Sequence, residues 1–129
     1  MASLPLFGQR YNFKFYGEGE GLKNLAVQTV LQDNAGFVWA GTQNGLYRYD
    51  GNRFTMFTKR EGLPGTRIES LHATANGTLW VSTDQGLARW EQDKFVTVPI
   101  RPAGGINGRQ SIASDALGNL YIASESGLV

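Results

Sequence analysis

The chain has 129 residues, 41% of them hydrophobic and 18% charged, with 12 basic residues against 11 acidic for a net charge of +1. That balance leaves no electrostatic footprint for nucleic acid. No run approaches the length of a membrane helix, residues 1–10 lack the basic start and apolar core of a signal peptide, and the absence of cysteine excludes disulfides, thiolate catalysis and Cys-ligated metals.

In chain order, the first expected element is a short aromatic strand at Asn12–Tyr16. Val27–Gln32, Phe37–Thr42, Leu46–Tyr49 and Arg53–Phe57 follow as four strands of about five residues. Turn chemistry separates them: Asp33-Asn34-Ala35-Gly36, Gln43-Asn44-Gly45 and Asp50-Gly51-Asn52. A second set has the same order, with strands at Ile68–Ala73, Leu79–Thr83, Leu87–Trp90 and Lys94–Val98. Val98–Gly108, with two prolines, is read as a loop. No segment shows an apolar pattern of period 3.6 at helical length.

The two sets are one repeat. Shifted by 41 residues, Gly36 and Trp39 fall on Gly77 and Trp80, and then on Gly118 and Tyr121. Thr42, Thr83 and Ser124 keep the same phase, as do Gly45, Gly86 and Gly127, and Leu46, Leu87 and Leu128. A period near 40 with four short antiparallel strands describes a β-propeller blade. The expected fold is therefore all-β: a leading outer strand at 10–20, blade 1 at 21–61, blade 2 at 62–102 and an incomplete blade 3 at 103–129. A ring needs about four to eight blades, so the chain is expected either to be the N-terminal piece of a longer protein or to assemble with other copies.

These positions resemble the two-component regulator propeller repeat. The first copy carries Gly21-Leu22, Asp33, Gly36, Trp39, Gly41-Thr42, Gly45-Leu46, Arg48-Tyr49-Asp50-Gly51 and Phe54. The second keeps Gly62-Leu63-Pro64, Gly77, Trp80, Thr83, Gly86-Leu87, Arg89 and Phe95, with Ser82 for Gly41 and Glu91-Gln92-Asp93 for Asp-Gly. The third has Tyr121 for the Trp. The resemblance implies the periplasmic sensory part of a bacterial inner-membrane receptor, with a histidine kinase or a diguanylate cyclase as output. The run at 15–22 is more similar to the cyclase branch. The chain itself is then not an enzyme. A propeller enzyme acting on polysaccharide, or a scaffold for protein contacts, is the alternative.

The recurring residues are read as framework: Trp39, Gly41, Thr42, Gly45, Trp80, Thr83, Gly86, Tyr121 and Gly127. The tryptophans offer apolar area between neighbouring blades, Gly41 leaves room for an adjacent sheet, and the threonines can bond turn backbone. Arg48 and Arg89 either pair with a carboxylate or lie across a ring. His72, the only histidine, takes the place of Leu31 and reads as a packing residue. Ser70 and Ser82 lack the context of a nucleophile elbow. Asp33-Asn34-Ala35-Gly36 lacks calcium-loop spacing and reads as a turn. Asn76-Gly77-Thr78 is a sequon in a β-turn. No catalytic residue, metal site or cofactor is expected. A ligand, a small molecule or saccharide, is expected at the channel mouth, on the non-recurring loops that lead into each innermost strand: Lys23, Asn24, Arg67, Asn107 and Arg109. The remaining partners are the other blades of the parent protein or other copies of the chain.

Overall fold

The computed structural model describes residues 26–99, 111–124 and 127–128. Three antiparallel sheets follow one another along the chain. Sheet one is β1 (Val27–Gln32), β2 (Val38–Thr42), β3 (Gly45–Tyr49) and β4 (Phe54–Phe57). Sheet two is β5 (Ile68–Ala73), β6 (Leu79–Thr83), β7 (Gly86–Glu91) and β8 (Lys94–Val98). Sheet three contains β9 (Ser111–Ser114), β10 (Leu120–Ser124) and β11 (Gly127–Leu128). In each sheet the strands pair in sequence order. The first strands lie side by side, β1 against β5 and β5 against β9. The sheets are thus stacked as propeller blades, with the first strand of each innermost. The strand expected at Asn12–Tyr16 lies outside the described residues.

The 41-residue phase is visible in the pairing. Trp39 lies opposite Arg48 and Trp80 opposite Arg89, while Thr42 faces Gly45 and Thr83 faces Gly86. A bulge falls at the same place in both inner strands, between Val27 and Thr29 and between Ile68 and Ser70. The first turn is built identically three times. Gly36, Gly77 and Gly118 have φ of +94°, +90° and +88°, where a side chain would be strained. Each donates its N–H to the carbonyl three residues back, at Asp33, Thr74 and Asp115.

Several boundaries differ from the sequence expectation. β3 and β7 begin at the glycine that the sequence assigned to the turn, because Gly45 and Gly86 pair with Thr42 and Thr83. β2 starts at Val38 and β4 at Phe54, one residue late, since the carbonyls of Phe37 and Arg53 close their turns onto the N–H of Asp33 and Asp50. β7 runs on to Glu91, because Gln92 and Asp93 both take positive φ and form a two-residue hairpin turn without glycine. The link from β4 to β5 carries a short 3-10 turn, Lys59–Glu61, that the strand pattern did not show. Thr58 and Glu61 cap it reciprocally, and Leu63 just beyond is buried in the core.

The main core lies in the seam between sheets one and two. Trp39, Leu46 and Phe57 from the first meet Ile68, Leu71, Val81 and Phe95 from the second. Gly41 sits on this seam. A Cβ there would come 2.5 Å from Ile68 Cγ2 and 2.7 Å from Thr29 Cγ2, so the inner strands approach only because this side chain is absent.

Candidate functional site

Four rings converge in the first seam. Trp39 lies 5.4 Å from Phe57, 5.5 Å from Trp90 and 6.0 Å from Phe95, and Trp90 lies 4.8 Å from Phe95. The Trp39–Trp90 and Trp39–Phe95 pairs meet edge to face, the favourable arrangement for ring quadrupoles. Arg48 spreads over this cluster, its guanidinium carbon 4.7 Å from the Phe37 centroid and 5.3 Å from that of Phe57. Its Nε is buried without a hydrogen-bond partner among the described residues. Arg89, its counterpart one repeat later, instead donates from Nε to Glu91 Oε2 at 2.9 Å. The two alternatives read for this position are therefore each used once.

Asp33 fixes the orientation of Trp39. Its Oδ1 accepts from the N–H groups of Ala35 and Phe37, and its Oδ2 accepts from Trp39 Nε1 at 2.7 Å. The third repeat does the same: Asp115 accepts from the N–H of Leu117 and Asn119 and from the Tyr121 hydroxyl. The side-chain amide of Asn119, then its backbone N–H, hold the Asp115 carboxyl below the usual carboxylate range, and that carboxylate pushes the Tyr121 hydroxyl up. The second repeat has Thr74 at this place. Its hydroxyl donates to Asn76 Oδ1 and leaves no carboxylate for Trp80.

Thr42 donates to the Gly45 carbonyl at 2.8 Å and accepts from the Asn44 N–H, and Thr83 does the same with Gly86 and Gln85. His72 Nε2 lies 2.8 Å from Ser114 Oγ, joining β5 to β9. The other ring nitrogen meets no carboxylate among the described residues, so the pair lacks the third group that orients a catalytic imidazole. Ser70 and Ser82 face one another across β5 and β6 and have no base between them. No group of three or more His, Asp or Glu among the described residues could hold a metal. No helix among them is long and apolar enough to cross a membrane.

Of the expected ligand residues, Arg67 is described. It sits just before β5, half exposed, with Nε 3.5 Å from Glu69 Oε1 and its N–H donating to Asp84 Oδ1. Lys23, Asn24, Asn107 and Arg109 lie outside the described residues. A groove of about 530 Å³ opens between sheets two and three, at the opposite end of β5 from Arg67. Trp80, Trp90, Arg89, Thr78, Asp115 and Leu117 line it. Sequence reasoning missed this groove. Its signal was the loss of pattern in the second repeat, where Thr74 and Thr78 replace Asp33 and Phe37.

Residues 21–44 and 62–85 match the model of the two-component regulator propeller. A segment of 55 residues is 33% identical to histidine kinase P4 of Formosa agariphila, covering 43% of this chain and 4% of that protein. The extracellular domain of a hybrid two-component system from B. thetaiotaomicron is similar at 28% identity with a TM-score of 0.66, over 77% of this chain and 14% of that one. A second such domain from the same organism aligns with a TM-score of 0.70 at 21% identity, over 90% of this chain and 19% of that one, and supports the fold. This chain thus spans a small part of the length of each protein it matches.

Proposed function

We propose that this chain, built from two-component regulator propeller repeats, is part of the extracytoplasmic sensory propeller of a bacterial receptor and does no chemistry itself. The observation that carries this reading is the match of residues 21–44 and 62–85, one segment in each of the first two repeats, to that family, beside a structural relative at 28% identity that is the extracellular domain of a hybrid two-component system. A histidine kinase is the output this favours over a diguanylate cyclase, because the sequence relative is a histidine kinase. The recurring aromatic, glycine and threonine residues are used up in packing and turns, which leaves the non-recurring loops to meet a small ligand or saccharide. Arg67 is the described member of that set, and Lys23, Asn24, Asn107 and Arg109 complete the proposal.

A receptor containing this chain, coupled to a transcriptional reporter, tests the reading. Arg67→Ala is expected to change the response to inducer while surface abundance stays constant. Cleavage of polysaccharide by the purified chain would overturn the proposal in favour of a propeller enzyme.

A further inference from the structure

Asn76-Gly77-Thr78 lies in the turn from β5 to β6, and Asn76 and Gly77 are both exposed. The chain has three Asn-Gly pairs, at 44–45, 76–77 and 107–108; the last lies outside the described residues. An Asn-Gly pair can react with itself, because glycine, having no side chain, leaves its nitrogen unshielded for attack on the asparagine side-chain carbon. The fold treats the two described pairs differently. Gly45 opens β3 and is paired with Thr42, so it is held in the sheet. Gly77 lies outside the strands, and its N–H makes one turn bond, to the Thr74 carbonyl at 2.9 Å.

The side-chain amide of Asn76 is already drawn into position. Its Oδ1 accepts from the Thr78 N–H at 3.1 Å and from the Thr74 hydroxyl. The backbone donor identifies that atom as the amide oxygen. An oxygen that reaches the N–H two residues ahead lays its carbon alongside the intervening peptide nitrogen, here that of Gly77. The same two donors face the oxygen on which negative charge builds when that nitrogen attacks, and donors so placed lower the barrier. We propose that Asn76 is a site of self-catalysed deamidation, promoted by the Thr74 hydroxyl and the Thr78 N–H. The turn bond of Gly77 opens, its nitrogen bonds to Asn76 Cγ, and the Cγ–Nδ2 bond breaks. The Gly77 amide proton passes through water to Nδ2, which leaves as ammonia. Water then opens the cyclic imide at either carbonyl, giving aspartate or its β-linked isomer at this position. Both products carry a new negative charge on an exposed turn of blade two, and the β-linked form lengthens the main chain of that turn.

The purified full-length chain, held at mildly alkaline pH and sampled over time, tests this by peptide mass mapping. Asn76 is expected to gain the mass of an amide-to-acid exchange faster than Asn44, by about tenfold or more. The same comparison in urea should show the two sites reacting alike, because the unfolded chain holds neither glycine in a sheet nor Asn76 Oδ1 between its donors. Thr74→Val removes the hydroxyl and keeps the branched shape, and should slow Asn76 by about tenfold. Thr74→Ser keeps the hydroxyl and should retain the parent rate, and melting curves of both variants check that the fold is kept. A native Asn76 rate no faster than that of Asn44, a ratio unchanged in urea, or a folded Thr74→Val chain reacting at the parent rate would each overturn the proposal.

Discussion

Asp33 and Trp39 are bound side chain to side chain, the indole Nε1 donating to Oδ2 over 2.7 Å, six residues apart in sequence and at opposite ends of one hairpin turn. The same carboxylate accepts two backbone N–H groups of that turn. A local turn thus aims the ring that closes the seam. Hydrogen bonds to a charged group contribute about 1.5–3 kcal/mol each when a partner is removed. Asp33→Ala is therefore expected to lower the unfolding free energy by at least about 1.5 kcal/mol in urea titration, with the m-value unchanged.

The second repeat lacks this carboxylate, and it can be restored. Thr74→Asp places an acceptor where Asp33 and Asp115 stand in their own repeats, within the geometry that Trp39 and Tyr121 already use. The unfolding free energy from urea titration is expected to rise, by about 1 kcal/mol. In the background of Trp80→Phe, which has no indole N–H, that gain should vanish.

Asp115 and Tyr121 give the stability a pH signature at both extremes. The Asp115 carboxyl is lowered, first by the Asn119 side chain, so its contribution is complete above the unfolded value of about 3.9 and is lost as pH falls through the lower folded value. The Tyr121 hydroxyl is raised by Asp115, so its contribution is complete below about pH 10 and is lost as pH rises through the higher folded value. Melting curves across pH should show both limbs shrink in Asp115→Asn, whereas Tyr121→Phe should remove the alkaline limb and reduce the acid limb only in part, because Asn119 and the Leu117 N–H still hold the carboxylate.

Gly41 tests how closely the blades approach. A Cβ at this position would sit 2.5 Å from Ile68 Cγ2. Overpacking of this kind costs about 1–3 kcal/mol. Gly41→Val is expected to fall at or above the upper end by urea titration, and Ile68→Ala in the same chain should recover part of the loss by making room.

Most of the blade pattern was legible in the sequence because both of its signals are local. Period-two strands and turn residues with positive φ locate the hairpins, and the fixed offset aligns them. The boundaries that shifted did so where a pairing partner overrode a turn residue, as Thr42 does by pairing with Gly45. The role of Asp33 was only half legible. Its turn could be read, but its bond to Trp39 depends on where the ring points. The groove at Trp80 could not be read from any single repeat, because it arises where the second repeat departs from the first and sheet three follows. Arg48 and Arg89 show the same limit: identical in sequence phase, they take different partners because four rings surround one and Glu91 stands beside the other.

The account rests on the recurring tryptophan being framework rather than a ligand contact. Trp39 is 1% exposed and touches three rings, two of them on the next blade. Deleting a buried aromatic side chain of this size costs about 3–5 kcal/mol. The decisive measurement is the unfolding free energy of Trp39→Ala beside the parent chain. A loss in that range, shared by blades one and two in a single transition, is the result expected. An unchanged unfolding transition, accompanied by lost receptor response, would contradict the account and make Trp39 part of the binding site.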